Sequence, residues 1–328
     1  MASDPTLVSV VIPAYNAARV IEPTLRSVMG QTHDALDIVV VDDGSKDATA
    51  AAVRALAAED GRIRLVQQAN GGVCSARNRG IAAAAADYVA LLDADDLWAP
   101  TKIEKQLARL QAAGPDVGLC YTQFVIVDGE GRITGVDPAP RPEGRVLREI
   151  CRRNFVGHGS SPLIPKRILE EVGMFDLDQI QGCEDLRLYF RIAERYEFAV
   201  VQEPLVGYRM VPGSATSNAR KMLASWRSVA EEMLAKHPEC AREIAENDRT
   251  MQMWMVRASL INGHRRQALK SALSLAARHP VFLLNELISR VWRKIGRRPA
   301  GFGREQGAPA NAGQLFNQNG NALAVQTN

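Results

Sequence analysis

Residues 87 to 100 read "DYVALLDADDLWAP". The apolar, strand-forming run from Tyr88 to Leu92 delivers Asp93, Asp95 and Asp96 to one point, where three negative charges repel each other. Upstream segments share this form. "LVSVVIP" (7 to 13), "DIVVVDD" (37 to 43) and "IRLVQ" (63 to 67) alternate with helical patterns near Ala18 to Met29, Ala48 to Ala58 and Val73 to Ala84. Runs of Val, Ile and Leu without polar alternation predict strands covered on both faces, hence a parallel sheet with crossover helices. This half of the chain reads as doubly wound α/β.

Three of the strands end in groups of chemical interest: Pro13 to Asn16, Asp42 to Ser45, and Asp93 to Asp96. In open α/β sheets the ligand crevice lies outside the carboxyl ends of the strands, so residues up to about eighty positions apart can converge there. A carboxylate cluster tolerates its own repulsion when a cation sits in its midst. A hard divalent ion with oxygen ligands is the usual one.

Composition sets the outer bounds. The 328 residues suffice for one large domain or two modest ones, and 46% hydrophobic with 23% charged content is ordinary for a soluble globular protein. Forty Lys and Arg against 37 Asp and Glu leave a net charge of +3, which argues against a general nucleic-acid binder. The first strand-like run begins too early for a secretory signal, and no stretch has the roughly 18 to 20 uncharged apolar residues that span a bilayer. Cys74, Cys120, Cys151, Cys183 and Cys240 are scattered without CxxC spacing, as buried thiols in a reduced cytosol would be. A cytoplasmic protein is expected.

Downstream, Ile103, Leu107 and Leu110 predict a helix over Lys102 to Ala113, followed by strands "VGLCYTQFVIV" and "RITGV" and a Pro/Gly-rich connection at 137 to 144. A block to about residue 212 mixes helices with "SSPLIP" and "FAVVQEPLVGY". Beyond Ser217 the pattern is helical to about Arg297, and residues 257 to 280 have the form of one helix-turn-helix unit with no second copy. "HPVFLLNELISRVWRKIGRR" sets Phe282, Leu287, Val291 and Trp292 beside Arg290, Arg293, Lys294 and Arg297. Such a helix either lies on an anionic membrane surface or packs on the protein with its basic face outward. The Gly/Asn/Gln/Ala-rich stretch from 300 to 328 is expected to be disordered.

"VSVVIPAYNAARVIEPTLRSVMGQT", "DIVVVDDGSKDAT", "NGGVCSARNRGI", "YVALLDADD" and "CEDLRLYFRIA", in this order and spacing, resemble the family 2 glycosyltransferases of GT-A fold. The resemblance covers roughly residues 7 to 212. It implies a GT-A type doubly wound mixed sheet flanked by helices, with a helical C-terminal extension. The implied organisation is a catalytic domain over 1–215 (nucleotide-sugar half to about 115, acceptor half 116–215), a helical region over 216–299 and the tail. It also implies an inverting, single-sugar transfer from a nucleoside-diphosphate sugar, with UDP preferred, to a glycan or lipid-linked acceptor, as in cell-surface polysaccharide assembly.

Roles follow residue by residue. The turn of Pro13, Ala14, Tyr15 and Asn16 holds base and ribose, Tyr15 offering a ring face and a hydroxyl. Asp42 or Asp43 can accept a uracil imide N–H, although an Asp or Ser here can equally cap the following helix. Arg77 and Asn78 lie at the nucleotide, where a guanidinium neutralises diphosphate charge. In the "DADD" element, Asp95 chiefly ligates Mg²⁺ or Mn²⁺, Asp93 stands nearer the ribose or metal waters, and Ala94 lies between them. The ion stabilises charge on the departing diphosphate. Asp185, at a helix start where the macrodipole favours an ionised acid, matches the base that deprotonates the acceptor hydroxyl. Glu184 orients acceptor. His158 is read as structural before acceptor-lining, and Arg209 as a secondary candidate for the diphosphate.

Rival readings fit less well. A haloacid-dehalogenase-type phosphatase wants Thr or Val four residues after its first Asp, where Leu97 stands here, and a pyrophosphorylase wants a Gly-rich basic loop where "PAYNAAR" stands. An EF-hand loop lacks its central Gly. A processive synthase would carry QxxRW and membrane helices. A silent sugar-nucleotide sensor is the alternative from another class, set against the joint presence of "DADD" and Asp185.

Overall fold

Seven consecutive buried residues make β1 (Val8–Ala14) a strand hidden on both faces, and β2 (Leu36–Asp42) repeats the pattern. Val10 and Ile12 point into one core with Leu25, Ile38 and Leu92, while Val11 points into the other with Ile81 and Leu91. This two-sided burial is why neither strand shows polar alternation. The computed structural model describes residues 5–137, 141–178, 182–210, 219–261, 265–278 and 316.

With β3 (Ile63–Gln67) and β4 (Tyr88–Leu91), the strands run parallel in the order β3-β2-β1-β4. The crossovers are α1 (Ile21–Met29), α2 (Thr49–Glu59) and α3 (Val73–Ala83). A Cβ on Gly80 would lie 2.3 Å from Val11 Cγ1, so the lack of a side chain there lets α3 lie directly on β1. The strand order reverses beside β1, which opens a crevice at the carboxyl ends of β1, β2 and β4.

The sheet then becomes mixed. Next come β5 (Leu97–Trp98), α4 (Lys102–Ala113), β6 (Val117–Val127), β7 (Ile133–Val136), α5 (Leu147–Arg152) and β8 (Leu163–Pro165). They are followed by α6 (Lys166–Glu171), α7 (Glu184–Ala193) and β9 (Glu197–Arg209). Antiparallel β8 joins β4 to the second half, completing a nine-stranded sheet ordered β3-β2-β1-β4-β8-β6-β9-β5, with β7 beside β6. The architecture is the expected α/β mixed sheet flanked by helices.

Three C-terminal helices follow: α8 (Ala219–Lys236), α9 (Ala241–Ile261) and α10 (Arg265–Arg278). The first two share a core with the sheet domain. Trp226, Val229 and Met233 of α8 pack with Leu186 and Phe190 of α7, and Arg187 pairs with Glu232 at 2.5 Å. The basic amphipathic segment from 280 lies outside the described residues, as does the expected disordered tail apart from Phe316. That ring is buried among Leu97, Val125, Ile133 and Leu205, and its N–H donates to the Gly131 carbonyl at 2.9 Å. All five cysteines are buried and unpaired. Among the described residues no helix is long and apolar enough to cross a membrane.

Candidate active site

The ends of β1 and β2 are laced together by short polar contacts. Asn16, held at a φ of 51°, donates its N–H to Ser45 Oγ (2.9 Å) and accepts the Lys46 N–H on Oδ1 (2.8 Å). Pro13 and Ala14 stay in the sheet opposite Val41 and Asp42. Tyr15 is left 52% exposed at the mouth of the crevice. Both acids of "DDGS" are buried and bonded. Asp42 accepts the Ser45 N–H and Gln67 Nε2, each at 3.0 Å; burial opposes its ionisation, but these bonds hold its carboxyl below the ordinary range. Asp43 accepts from Gln68 Nε2 (2.8 Å), Asn70 Nδ2 (3.3 Å) and the N–H groups of Gly71 and Gly72 (2.8 Å each). It thereby ties the 68–72 turn, and the start of α3, to the sheet.

At the end of β4 the three acids have separate fates. Asp96 is fully buried, accepts the Arg209 N–H (2.9 Å) and the Ser160 hydroxyl, and is pushed well up in pKa by burial and then by Asp95 and Asp93. Asp93 takes an Arg77 Nη2 bond at 2.7 Å and donates its N–H to Ser160 Oγ at 3.0 Å. Asp95 is different. Among the described residues no other side chain donates to its carboxylate, and burial followed by repulsion from Asp93 pushes it up to about 6. Ala94 is fixed by its carbonyl, which accepts from Thr24 Oγ1 at 2.9 Å. Arg209 is 4% exposed and spends its guanidinium on the carbonyls of Asp95, Asp128 and Gly129, bracing the "DADD" backbone.

Arg77 draws the distant halves together. Its guanidinium is 3% exposed and donates through Nη1 to Asp185 Oδ1 and through Nη2 to Asp93 Oδ1, both at 2.7 Å; Glu184 stands 4.0 Å away. Asp185 is 108 positions from Arg77 in sequence. Asn78 clamps the backbone of Phe175 in both directions (2.7 and 3.0 Å), and the Phe175 ring lies 5.0 Å from the Arg77 guanidinium. Sequence reading gave Arg77 and Asn78 to the nucleotide; here the one holds carboxylates and the other a loop. Asp185 and Glu184 occupy the first turn of α7. Burial pushes the Asp185 carboxyl up to about 7, with Arg77 opposing and Glu184 and Asp93 adding to the rise. Glu184 accepts the Gly182 N–H.

His158 is a buried wall residue, stacked on Tyr208 (4.7 Å between centroids), with its Nδ1 accepting the Ser160 N–H (3.2 Å); burial lowers it to about 4. Sequence reasoning missed Ser160, which supports both Asp93 and Asp96, and Gly159, which leaves room for Arg77. The run of small residues in "GHGSSP" was their only signal. Phe175 carried none.

Among the described residues, no group of three or more His, Cys, Asp or Glu is arranged to hold a metal by itself. Asp95, with Asp93 beside it, offers at most two carboxylates. That set suits a hard divalent ion that takes its remaining oxygens from waters and substrate phosphates. Asp95 fits the demand because its charge is opposed by Asp93 and, among the described residues, no other side chain donates to its carboxylate.

The model of glycosyl transferase family 2 matches residues 9–173, ending short of Asp185. A Bacillus subtilis protein named as a teichuronic acid biosynthesis glycosyltransferase, TuaG, is 29% identical over 248 residues, covering 74% of this chain and 95% of that one. Of three rickettsial relatives named as uncharacterized glycosyltransferases, the chain spans only 27% to 31%. Among solved structures, the mannosyltransferase PcManGT of Pyrobaculum calidifontis, in complex with GDP-Man and Mn²⁺, superposes with a TM-score of 0.60 at 22% identity (89% of this chain, 81% of that). Residues 1–349 of S. aureus TarS with UDP-GlcNAc also give 0.60, at 15% identity (84% and 92%). At these identities the likeness is one of fold.

Proposed function

This chain belongs to glycosyltransferase family 2, and we propose that it moves one sugar from a UDP-linked donor to a hydroxyl of a glycan or lipid-linked acceptor, with inversion, in polysaccharide assembly. The observation that carries this reading is the Arg77 bridge. It ties Asp93, two residues before Asp95, to Asp185, whose carboxyl burial pushes up to about 7. Family neighbours bound to UDP-GlcNAc, and to GDP-Man with Mn²⁺, support a nucleotide-sugar donor.

In this reading Asp95 and Asp93 would hold Mg²⁺ or Mn²⁺, which when bound offsets the charge on the departing diphosphate. Tyr15 presents its ring to the base, and Asp42 and Asp43 shape the floor of the base pocket. Asp185 takes the acceptor hydroxyl proton as that oxygen bonds to the anomeric carbon; the electron pair of the breaking C–O bond leaves with the diphosphate. A base near pH 7 combines a useful deprotonated fraction with adequate proton affinity. Glu184 stands beside it toward the acceptor.

In this reading residues 1–215 are the catalytic unit, with α8, α9 and α10 as its helical support. The protein works at the cytoplasmic face of a membrane as a peripheral partner: the outer face of α10 carries exposed Leu269 and Leu273 with Arg266 and Lys270.

A panel of UDP, dTDP and GDP sugars with Mn²⁺ tests the reaction. Nucleoside-diphosphate release from a UDP-sugar, lost in Asp95→Ala and Asp185→Asn, is the expected result. Tight UDP binding without release on any acceptor would instead make the chain a sugar-nucleotide sensor.

A further inference from the structure

Arg77 is a buried cation held between two acids. It is 3% exposed, its two terminal nitrogens are committed to Asp93 and Asp185, and its buried Nε has no partner. An unbonded buried N–H is costly, so the guanidinium is placed by its carboxylates and by Phe175 rather than by a full set of bonds. The surrounding chain makes room for it. A Cβ on Gly159 would lie 2.5 Å from Arg77 Nη2 and 3.4 Å from Asp93 Oδ1, so glycine at this position lets the guanidinium sit between the two acids. Asn78, the next residue of α3, holds Phe175 by both backbone groups and so keeps its ring against Arg77.

We infer that Arg77 is a positioning residue which fixes the Asp185 carboxylate to the donor-side Asp93, so that the base and the cation-binding strand end act as one rigid unit, and that it does not contact the diphosphate. The inference rests on the proposed role of Asp185. It differs in kind from a phosphate clamp, whose nitrogens would face the crevice unspent. Bidentate sharing also favours Arg over Lys here, because only the planar fork reaches two acids in fixed directions.

Gly159→Ala is the sharpest test, since it displaces the guanidinium while keeping its charge; Arg77→Lys and Arg77→Met accompany it. UDP binding with Mn²⁺, followed by calorimetry, should stay within threefold of the parent in Gly159→Ala and Arg77→Lys. A tenfold or greater loss would place the guanidinium on the nucleotide and overturn the inference. UDP release from UDP-sugars should fall at least thirtyfold in kcat in Gly159→Ala and Arg77→Met with donor KM within threefold, and recover partly in Arg77→Lys. In the Asp185→Asn background, Arg77→Met should cost nothing further; an equal additional loss would mean that Arg77 acts elsewhere. Full turnover by Asp185→Asn would instead sink the proposed base, and the calorimetric arm would still decide where the guanidinium points.

Discussion

The strand ends of β2 and β4 carry the same residue type in equivalent places and do opposite things. At β2, Asp42 and Asp43 receive six hydrogen-bond donors between them, which stabilise their charge and rivet the 68–72 turn to the sheet. At β4, Asp96 is buried with two donors and raised in pKa, Asp93 is shared with Arg77, and Asp95 is left without a donor from a neighbouring side chain. Two adjacent acids at a strand end therefore say little about role. The number of donors aimed at each decides whether a carboxylate is already satisfied or awaits a cation.

The largest expected effect belongs to the proposed base. Asp185→Asn should lower UDP release from a UDP-sugar about 10³-fold, as removal of a general base does; a loss under tenfold would move the base elsewhere. Next comes the contrast between strand ends itself. Asp43→Ala strands four donors and should cost about 3 kcal/mol in denaturant unfolding, whereas Asp95→Ala, which strands none from another side chain, should cost under about 1 kcal/mol. Similar losses for both would erase the distinction.

A pH series sharpens the same point. The folded Asp95 carboxyl lies at about 6, above its ordinary value near 3.9, so the stabilisation it gives is complete below about pH 4 and lost as pH rises through 6. Asp95→Asn escapes that loss. Metal-free, its melting temperature relative to the parent should climb by about 3 °C between pH 4 and 8, and a flat difference would show that Asp93 and burial do not burden Asp95. The smallest effect is at the crevice mouth: Tyr15→Ala should weaken UDP binding about tenfold through lost stacking, leaving Asp95 and its pH response untouched.

Much of the fold was legible because its cause is local. β1, β2 and β4 are buried on both faces, so their sequences read as unbroken apolar runs, and the α4 pattern of Ile103, Leu107 and Leu110 leaves an equally direct mark. Asp93, Asp95 and Asp185 stand out as charged residues at strand and helix ends against apolar neighbours, and the family resemblance is what singles out Asp185. Partners could not. Arg77 looks like any cation near a Gly-rich turn, and its assignment to two carboxylates depends on Asp185 arriving from α7 and on Gly159 leaving a gap. Arg209 likewise reads as a mobile-loop cation, yet it is spent on three carbonyls because β9 runs beside β5 and the β6–β7 turn. His158 is read as structural, and it is packed against Tyr208 and Phe124, neighbours that the sequence does not name.

The sequence by itself determined the doubly wound half, the mixed-sheet class and the positions where acids meet the crevice, because strand burial and strand-end polarity are written in consecutive residues. Tertiary structure alone decided which acids are satisfied, which one, among the described residues, receives no bond from another side chain, and which cation joins Asp93 to Asp185. Hydrogen-bond supply depends on groups that fold in from 16 to 114 positions away, and no local pattern records their arrival.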